Sequence, residues 1–391
     1  MKRFSILILL LLASAANAQS RRQVDNWQDL QTKQWFEDGM LVDVSFNGLD
    51  LTYKAVAAST KAANSTATGP GTVVDAVGTG SERWELQYEG PVRPEWWGAL
   101  VDDGLNDLAA LQSSIDSIPA TGGTVALSPG EYTLDGPTGT FPNRRFLVVP
   151  NRVVIRGEGR DSTSIKLADN AGEFRGIFQA TTNSTAIESF ELRDVTIDFN
   201  GSTQTTPPKN TDTHDIRMAF DGNSCQDFTC RGCRFVDGDG TWVLLSQFGR
   251  CDISKNVFEN CGDKIEIDHS SIYVSSGYGI ISENEFVADP ARPGTGSAIE
   301  THGPYSVIDN IVTNYSTGVN LTNIGNTTTP NDHLLCCRNV IVGVKNGIAL
   351  WGDATNVDHV TVSENHVTID RDAVSMHFRH SNVIDVCSVA P

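Results

Sequence analysis

Glu266 and Asp268 stand two residues apart, and so do Glu300 and His302. In a β-strand, alternate residues share a face, so each pair would project from one side of its strand. If the two strands are neighbours in a sheet, the four ionisable groups meet within about 5–7 Å. Like charges at that range raise one another's proton affinity, so one carboxyl can keep its proton while another stays ionised. Glycosidic cleavage needs this division: an acid protonates the leaving oxygen and a base activates water, with carboxyls about 6.5–9.5 Å apart for inversion. A lone carboxylate on such a face is ordinarily just solvated. The concentration of four groups on two strands is what marks this patch.

The elements that must position them come from a repeat. Asn256, Asn284, Asn310, Asn339 and Asn365 each sit at the start of a short strand, 28, 26, 29 and 26 residues apart. Cys233 takes the same place one coil earlier. A second strand is expected nine residues after four of these asparagines, at Ile265, Val319, Ile348 and Val374. It is expected at Ile299 after Asn284, where residues 288–294 insert as a loop, and at Val243 after Cys233. Aligning these strands puts Val243, Ile265, Ile299, Val319, Ile348 and Val374 in one inward column. Leu244, Glu266, Glu300, Asn320, Ala349 and Ser375 then form one outward column, and Ser246, Asp268, His302, Thr322, Trp351 and His377 the other. On that alignment Trp351 offers a flat ring for stacking on a sugar, and Gln247 and His269 at strand ends offer hydrogen bonds, as does Asn320. A repeat of this length with strands in fixed register means a solenoid. Stacked asparagine amides can hydrogen-bond between coils about 4.8 Å apart. The fold class expected is all-β, a single-stranded parallel β-helix.

Residues 1–18 read as a signal peptide. Lys2 and Arg3 precede an apolar run from Phe4 to Ala13, and Ala16-Asn17-Ala18 supplies small residues around a cleavage point. No later segment approaches the roughly 20 apolar residues of a membrane span, so a secreted protein without membrane insertion is expected. Residues 19–90 read as a small β-rich region and 91–391 as the β-helix domain. The helical spacing of Leu108, Leu111, Ile115 and Ile118, with Asn106 as N-cap, predicts one helix that caps the first coil. The formal net charge is −19; losing Lys2 and Arg3 takes it to −21. That argues against a nucleic-acid partner or an anionic membrane surface, both of which need basic patches. Eight cysteines in an exported chain lead one to expect disulfides or burial inside the coil.

Several motifs then carry a family resemblance: Arg83-Trp84, Gly90-Pro91-Val92, Trp96-Trp97-Gly98-Ala99, Asp102-Asp103-Gly104, Gly122-Gly123-Thr124-Val125, Pro129-Gly130-Glu131-Tyr132 and Ile155-Arg156-Gly157-Glu158-Gly159. The chain resembles the pectate-lyase superfamily, in the branch of phage tailspikes and polysaccharide depolymerases. That resemblance implies a right-handed coil, a polysaccharide partner and, from tailspike-like members, a homotrimeric assembly. The fold supports several chemistries, so reaction type does not follow from it. Glu266-x-Asp268 with a histidine one coil on is also similar to the iota-carrageenase family, which would make Glu266 the acid and Asp268 the base.

The leading expectation is hydrolysis of a long, acidic polysaccharide, with Glu300 and His302 positioning substrate. The alternative is β-elimination of a uronic-acid polymer. Carboxylates would then hold Ca²⁺, and His302, Lys264 or Arg379 would take the proton. A third reading is a non-catalytic protein that grips glycan. No other cofactor is expected.

Overall fold

A computed structural model describes residues 21–32, 36, 38–76, 81–139, 144–180, 187–204, 217–222, 225–238, 242–246, 249–261, 270–274, 277–289, 296–322, 334–350, 360–369 and 385–386. The chain divides into two units. The smaller holds the described residues up to Gly90 together with Pro94–Ala99. It is a five-stranded sheet, with strands Arg21–Val24, Leu41–Phe46, Leu49–Val56, Arg83–Leu86 and Val73–Asp75 in that order across it. Its buried aromatics have polar handles that find partners, as burial requires. Trp84 Nε1 donates to the Leu30 carbonyl at 3.0 Å and Tyr53 Oη to that of Gly71 at 2.5 Å. Trp97 Nε1 donates to the Asn64 carbonyl at 2.7 Å, which is why Pro94–Ala99, placed in the solenoid by sequence, groups with this unit instead.

The larger unit is a parallel β-helix. Each coil contributes one strand to each of three parallel sheets, of nine, eight and ten strands among the described residues. The eight-stranded sheet contains β1 (Arg145–Val149), β2 (Gly176–Ala180), β3 (Met218–Gly222) and β4 (Trp242–Ser246). It continues through β5 (Ser270–Val274), β6 (Ser297–Thr301), β7 (Thr317–Leu321) and β8 (Asn346–Leu350). Helix α1 (Leu108–Asp116) buries Leu108, Leu111 and Ile115 and lies beside β1, with Gln112 Nε2 donating to the Val148 carbonyl at 3.1 Å. The side chain of Asn106 accepts from the Leu108 N–H at 3.0 Å. The neighbouring Asp107 instead ties the Leu100 and Thr133 amides.

The asparagine column forms as a hydrogen-bonded ladder. Asn256, Asn284, Asn310 and Asn339 each donate Nδ2 to the Oδ1 of the next asparagine, ending on Asn365, at 2.8–3.0 Å. The same Oδ1 also accepts the backbone N–H of the preceding coil's asparagine. The residue before each asparagine takes positive φ: Lys255 61°, Glu283 55°, Asp309 56°, Arg338 55° and Glu364 56°. A left-handed residue followed by an amide turns the corner between the ten- and nine-stranded sheets in two residues. Cys233 begins this column, its N–H donating to Asn256 Oδ1 at 2.9 Å. Inside, Phe235, Phe258 and Phe286 stack at 4.9 and 4.6 Å between centroids, a ladder that adds about 0.5–1.5 kcal/mol per pair beyond area burial.

The cysteines line this interior. Cys225, Cys230, Cys233, Cys251, Cys336 and Cys337 are free, buried thiols, so the expected bridging does not occur among them. Cys261 is buried too, its sulfur 3.5 Å from the Phe235 and Glu259 carbonyls. Small apolar thiols fit the narrow coil, and stacked coils already restrain the chain.

Candidate functional site

Register decides which side chains meet on the eight-stranded sheet. Phe220, Leu244, Ile272, Ile299, Val319 and Ile348 are paired in sequence across β3 to β8, and all are buried. The inward places therefore belong to Leu244, where Val243 was expected, and to Ile272; Ile265 lies outside the described residues. Leu244, assigned to the outward column by sequence, lies in the core instead. The cause is loop length. Ile272 lies 16 positions after Asn256, close to the 15 between Asn284 and Ile299, so the nine-residue spacing that holds for Val319 and Ile348 does not hold here. Lys264-Ile265-Glu266-Ile267-Asp268 alternates polar and apolar residues in sequence while Ser270–Val274 does not, so pattern alone favoured the earlier segment.

One position further along each strand, the register runs Gln179, Asp221, Leu245, Tyr273, Glu300, Asn320, Ala349. Tyr273 therefore stands where Glu266 was expected. Glu266, Asp268, His269, Gln247 and Trp351 lie outside the described residues, as do Lys264 and Arg379.

Glu300 and His302 do meet. His302 Nε2 lies 3.0 Å from Glu300 Oε1, with side chains 13% and 10% exposed, so the pair is shielded yet reachable from the surface. Glu300 Oε2 accepts the Ser270 hydroxyl at 2.6 Å. The two carboxylate oxygens thus have different partners, one fixed by a neutral donor and the other facing the imidazole. The Tyr273 ring lies 5.0 Å from that of His302 at 56°. The His302 N–H continues the sheet by donating to the Val274 carbonyl at 2.8 Å, which fixes where its side chain leaves the strand.

Beside this pair, β7 presents Asn320 opposite Glu300, and Thr322, whose N–H donates to the Thr301 carbonyl at 2.8 Å. Asn320 Oδ1 and Thr322 Oγ1 are buried without a hydrogen-bond partner among the described residues. Buried polar atoms left unpaired cost about 1–3 kcal/mol each, and such atoms in a native protein call for a reason. Grouped next to a carboxylate and an imidazole, they are the groups a polyhydroxylated ligand would satisfy. Sequence reasoning missed Ser270 and Tyr273 beside this pair, and aligned Thr322 with His302 without singling it out. Asn320 faces Glu300 in the register expected from sequence, because its coil keeps the short loop.

A second polar cluster lies further along the same sheet. Asp221 is 1% exposed and accepts Arg175 Nε at 2.6 Å and Gln179 Nε2 at 3.1 Å, both on Oδ2. Arg145 Nη1 donates to Gln179 Oε1 at 3.3 Å. No sequence signal pointed here, because the earliest strand aligned began at Val243.

No protein-family model matches the chain. Mannuronan C5-epimerase AlgE3 of Azotobacter vinelandii is 36% identical over 110 residues, 27% of this chain and 6% of that protein. Mannuronan C5-epimerase AlgE4 of the same organism is 32% identical over 105 residues, 27% of this chain and 19% of that protein. The match therefore spans a fifth or less of these relatives. Among solved structures, the tailspike protein of E. coli bacteriophage HK620 in complex with pentasaccharide superposes with a TM-score of 0.59. It is 18% identical and covers 76% of this chain and 54% of that one. At that identity the likeness concerns the fold, a parallel β-helix.

Proposed function

We propose that this chain is an exported enzyme that acts on a long acidic polysaccharide lying along the eight-stranded sheet. Its reaction, on this reading, is removal of the proton beside a uronate carboxylate. The observation that carries it is the His302–Glu300 pair at 3.0 Å, with the Tyr273 ring adjoining the imidazole. A histidine whose Nε2–H donates to a carboxylate is held in one tautomer, making Nδ1 the basic nitrogen. His302 Nδ1 takes the C5 proton and the C–H electron pair delocalises into the uronate carboxylate. Return of a proton to the opposite face, from the Tyr273 hydroxyl, gives the C5 epimer. Expulsion of the oxygen at C4 instead gives a chain break with a 4,5-double bond. Asn320 and Thr322 would hold ring hydroxyls of the sugar.

The names of the relatives matched over 27% of the chain, mannuronan C5-epimerases, support a uronate polymer and this chemistry. Hydrolysis by paired carboxyls has less support, since Tyr273 stands in the place expected of Glu266 and Glu300 has no carboxylate opposite it on β5 or β7. Calcium would take six to eight oxygen ligands. Glu300 has its oxygens engaged by Ser270 and His302, and no cage of three or more acidic, cysteine or histidine side chains forms among the described residues. The described centre does not fit that ion, and no step here is routed through one.

The test is incubation with polymannuronate and polygalacturonate in deuterated water. Deuterium at C5, with inverted sugars or ultraviolet-absorbing ends, is expected, and His302→Gln should abolish it. New reducing ends without C5 exchange or absorbance would overturn the reading in favour of hydrolysis. Binding without any product would overturn it in favour of a glycan-gripping protein.

A further inference from the structure

The cluster on β1 to β3 is built unlike a pair that serves packing alone. A structural Arg–carboxylate pair is commonly bidentate, with two parallel N–H···O bonds. Here Asp221 receives Arg175 through Nε only, and the oxygen it uses is shared with Gln179. The other oxygen, Oδ1, is buried without a partner among the described residues. Nη1 and Nη2 of Arg175 make no hydrogen bond among the described residues, although the side chain is 84% covered. Arg175 is thus fixed at Nε by a buried carboxylate while its two terminal donors remain unused, a fork held in place before any ligand arrives. Arg145 begins the neighbouring strand and Arg144 precedes it, with the Arg175 N–H bonded to the Arg144 carbonyl. In a chain of 29 basic and 48 acidic residues, three arginines at the edge of one sheet form a local cationic platform. A polyanion would be repelled from most of the remaining surface.

We propose that Arg175 and Arg145, with Gln179 and braced by Asp221, form a subsite that grips an anionic group of the glycan three to five coils along the sheet from Glu300. In the sheet register Asp221 and Glu300 are separated by the strands of Leu245 and Tyr273, which puts Asp221 about 14 Å from the reacting centre at roughly 4.8 Å per coil, with the strands of Gln179 and Arg145 one and two coils farther. An acidic polysaccharide lying along the sheet carries a charge on successive sugars, so one unit can be held here while another reacts. The inference rests on the proposed function for the direction of the chain, but the cluster's affinity for anions can be read without turnover.

The experiment is affinity electrophoresis of the full chain in gels holding polymannuronate, polygalacturonate, a sulfated galactan or carboxyl-reduced polymannuronate, over a range of salt. Retardation by at least one polyanion, and none by the carboxyl-reduced polymer, is expected. Arg145→Gln combined with Arg175→Gln should weaken that binding at least tenfold and flatten its salt dependence. Because losing Arg175 alone strands a buried carboxylate, the pair Arg175→Gln with Asp221→Asn is run beside it, with circular dichroism confirming the fold. Equal affinity for charged and neutral polymers, or variants that bind as the parent does, would overturn the subsite. Binding confined to the sulfated galactan would keep the subsite but sink the uronate reaction. Glu300→Gln that binds polyuronate as the parent does but turns it over about 10–100-fold more slowly supports both, and the separation of the two sites.

Discussion

Two buried atoms without a partner among the described residues, Asn320 Oδ1 and Thr322 Oγ1, are what the proposed function reads as a binding surface rather than a solvated face. Asn320→Ala should raise KM about five- to tenfold while leaving the thermal midpoint unchanged or higher, because it removes an acceptor for which the fold supplies no donor. A lowered midpoint with unchanged KM would assign Asn320 to the fold. Glu300 acts through His302, so its substitution by Gln should lower kcat about 10–100-fold with little effect on KM, as expected for a group that orients a base. His302→Gln should cost about 10²–10⁴-fold, the range for a general base. Asp198 shows the pH dependence of stability at this scale. Burial holds its carboxyl above the ordinary range, against the N–H of Asn200 that it accepts at 2.7 Å. The folded state therefore keeps this proton to higher pH than the unfolded chain does, and stability is lost as pH rises through that interval. Asp198→Asn should raise the melting temperature at pH 7 and leave it unchanged near pH 3, where both states are protonated.

At the scale of elements, the corner between the ten- and nine-stranded sheets is where the coil is specified. Asn310 donates to Asn339 Oδ1 and to the Ile281 carbonyl, and accepts from both the N–H and the Nδ2 of Asn284. Asn310→Ala would strand several buried groups at about 1–3 kcal/mol each, so a loss of at least about 3 kcal/mol is expected in chemical denaturation. The column was legible because hydrogen-bonding geometry demands one residue type at one place per coil. The opposite side of the coil carries no such demand. Its loops vary from coil to coil, and that is why the strand containing Tyr273 was misplaced by seven residues while those of Glu300 and Asn320 were placed correctly.

At the scale of the molecule, the solenoid buries the cysteines among the described residues. Burial pushes the Cys225 and Cys336 thiols up to about 12, and the thiolate is the reactive form. A thiol reagent at pH 8 should therefore label these two residues in the native protein far more slowly than after denaturation. Equal rates in both states would contradict the coil's packing. On the proposed reading, stacking sets Asp221 about 14 Å from Glu300 with the arginine strands farther along, so polymer length becomes part of the chemistry: oligosaccharides too short to span both clusters should show raised KM.

The amino-acid sequence by itself determined the repeat, the amide ladder, the helix beside the first coil and the pairing of Glu300 with His302, because each follows from spacing within one coil or between coils of constant corner geometry. Tertiary structure alone decided which strand lies against Glu300, and that Asp221, Gln179 and Arg175, 42 and 46 residues apart in two of their pairings, share a face. Register across a loop of variable length is fixed by the packing of Ile272 between Leu244 and Ile299, an energy that no local pattern encodes.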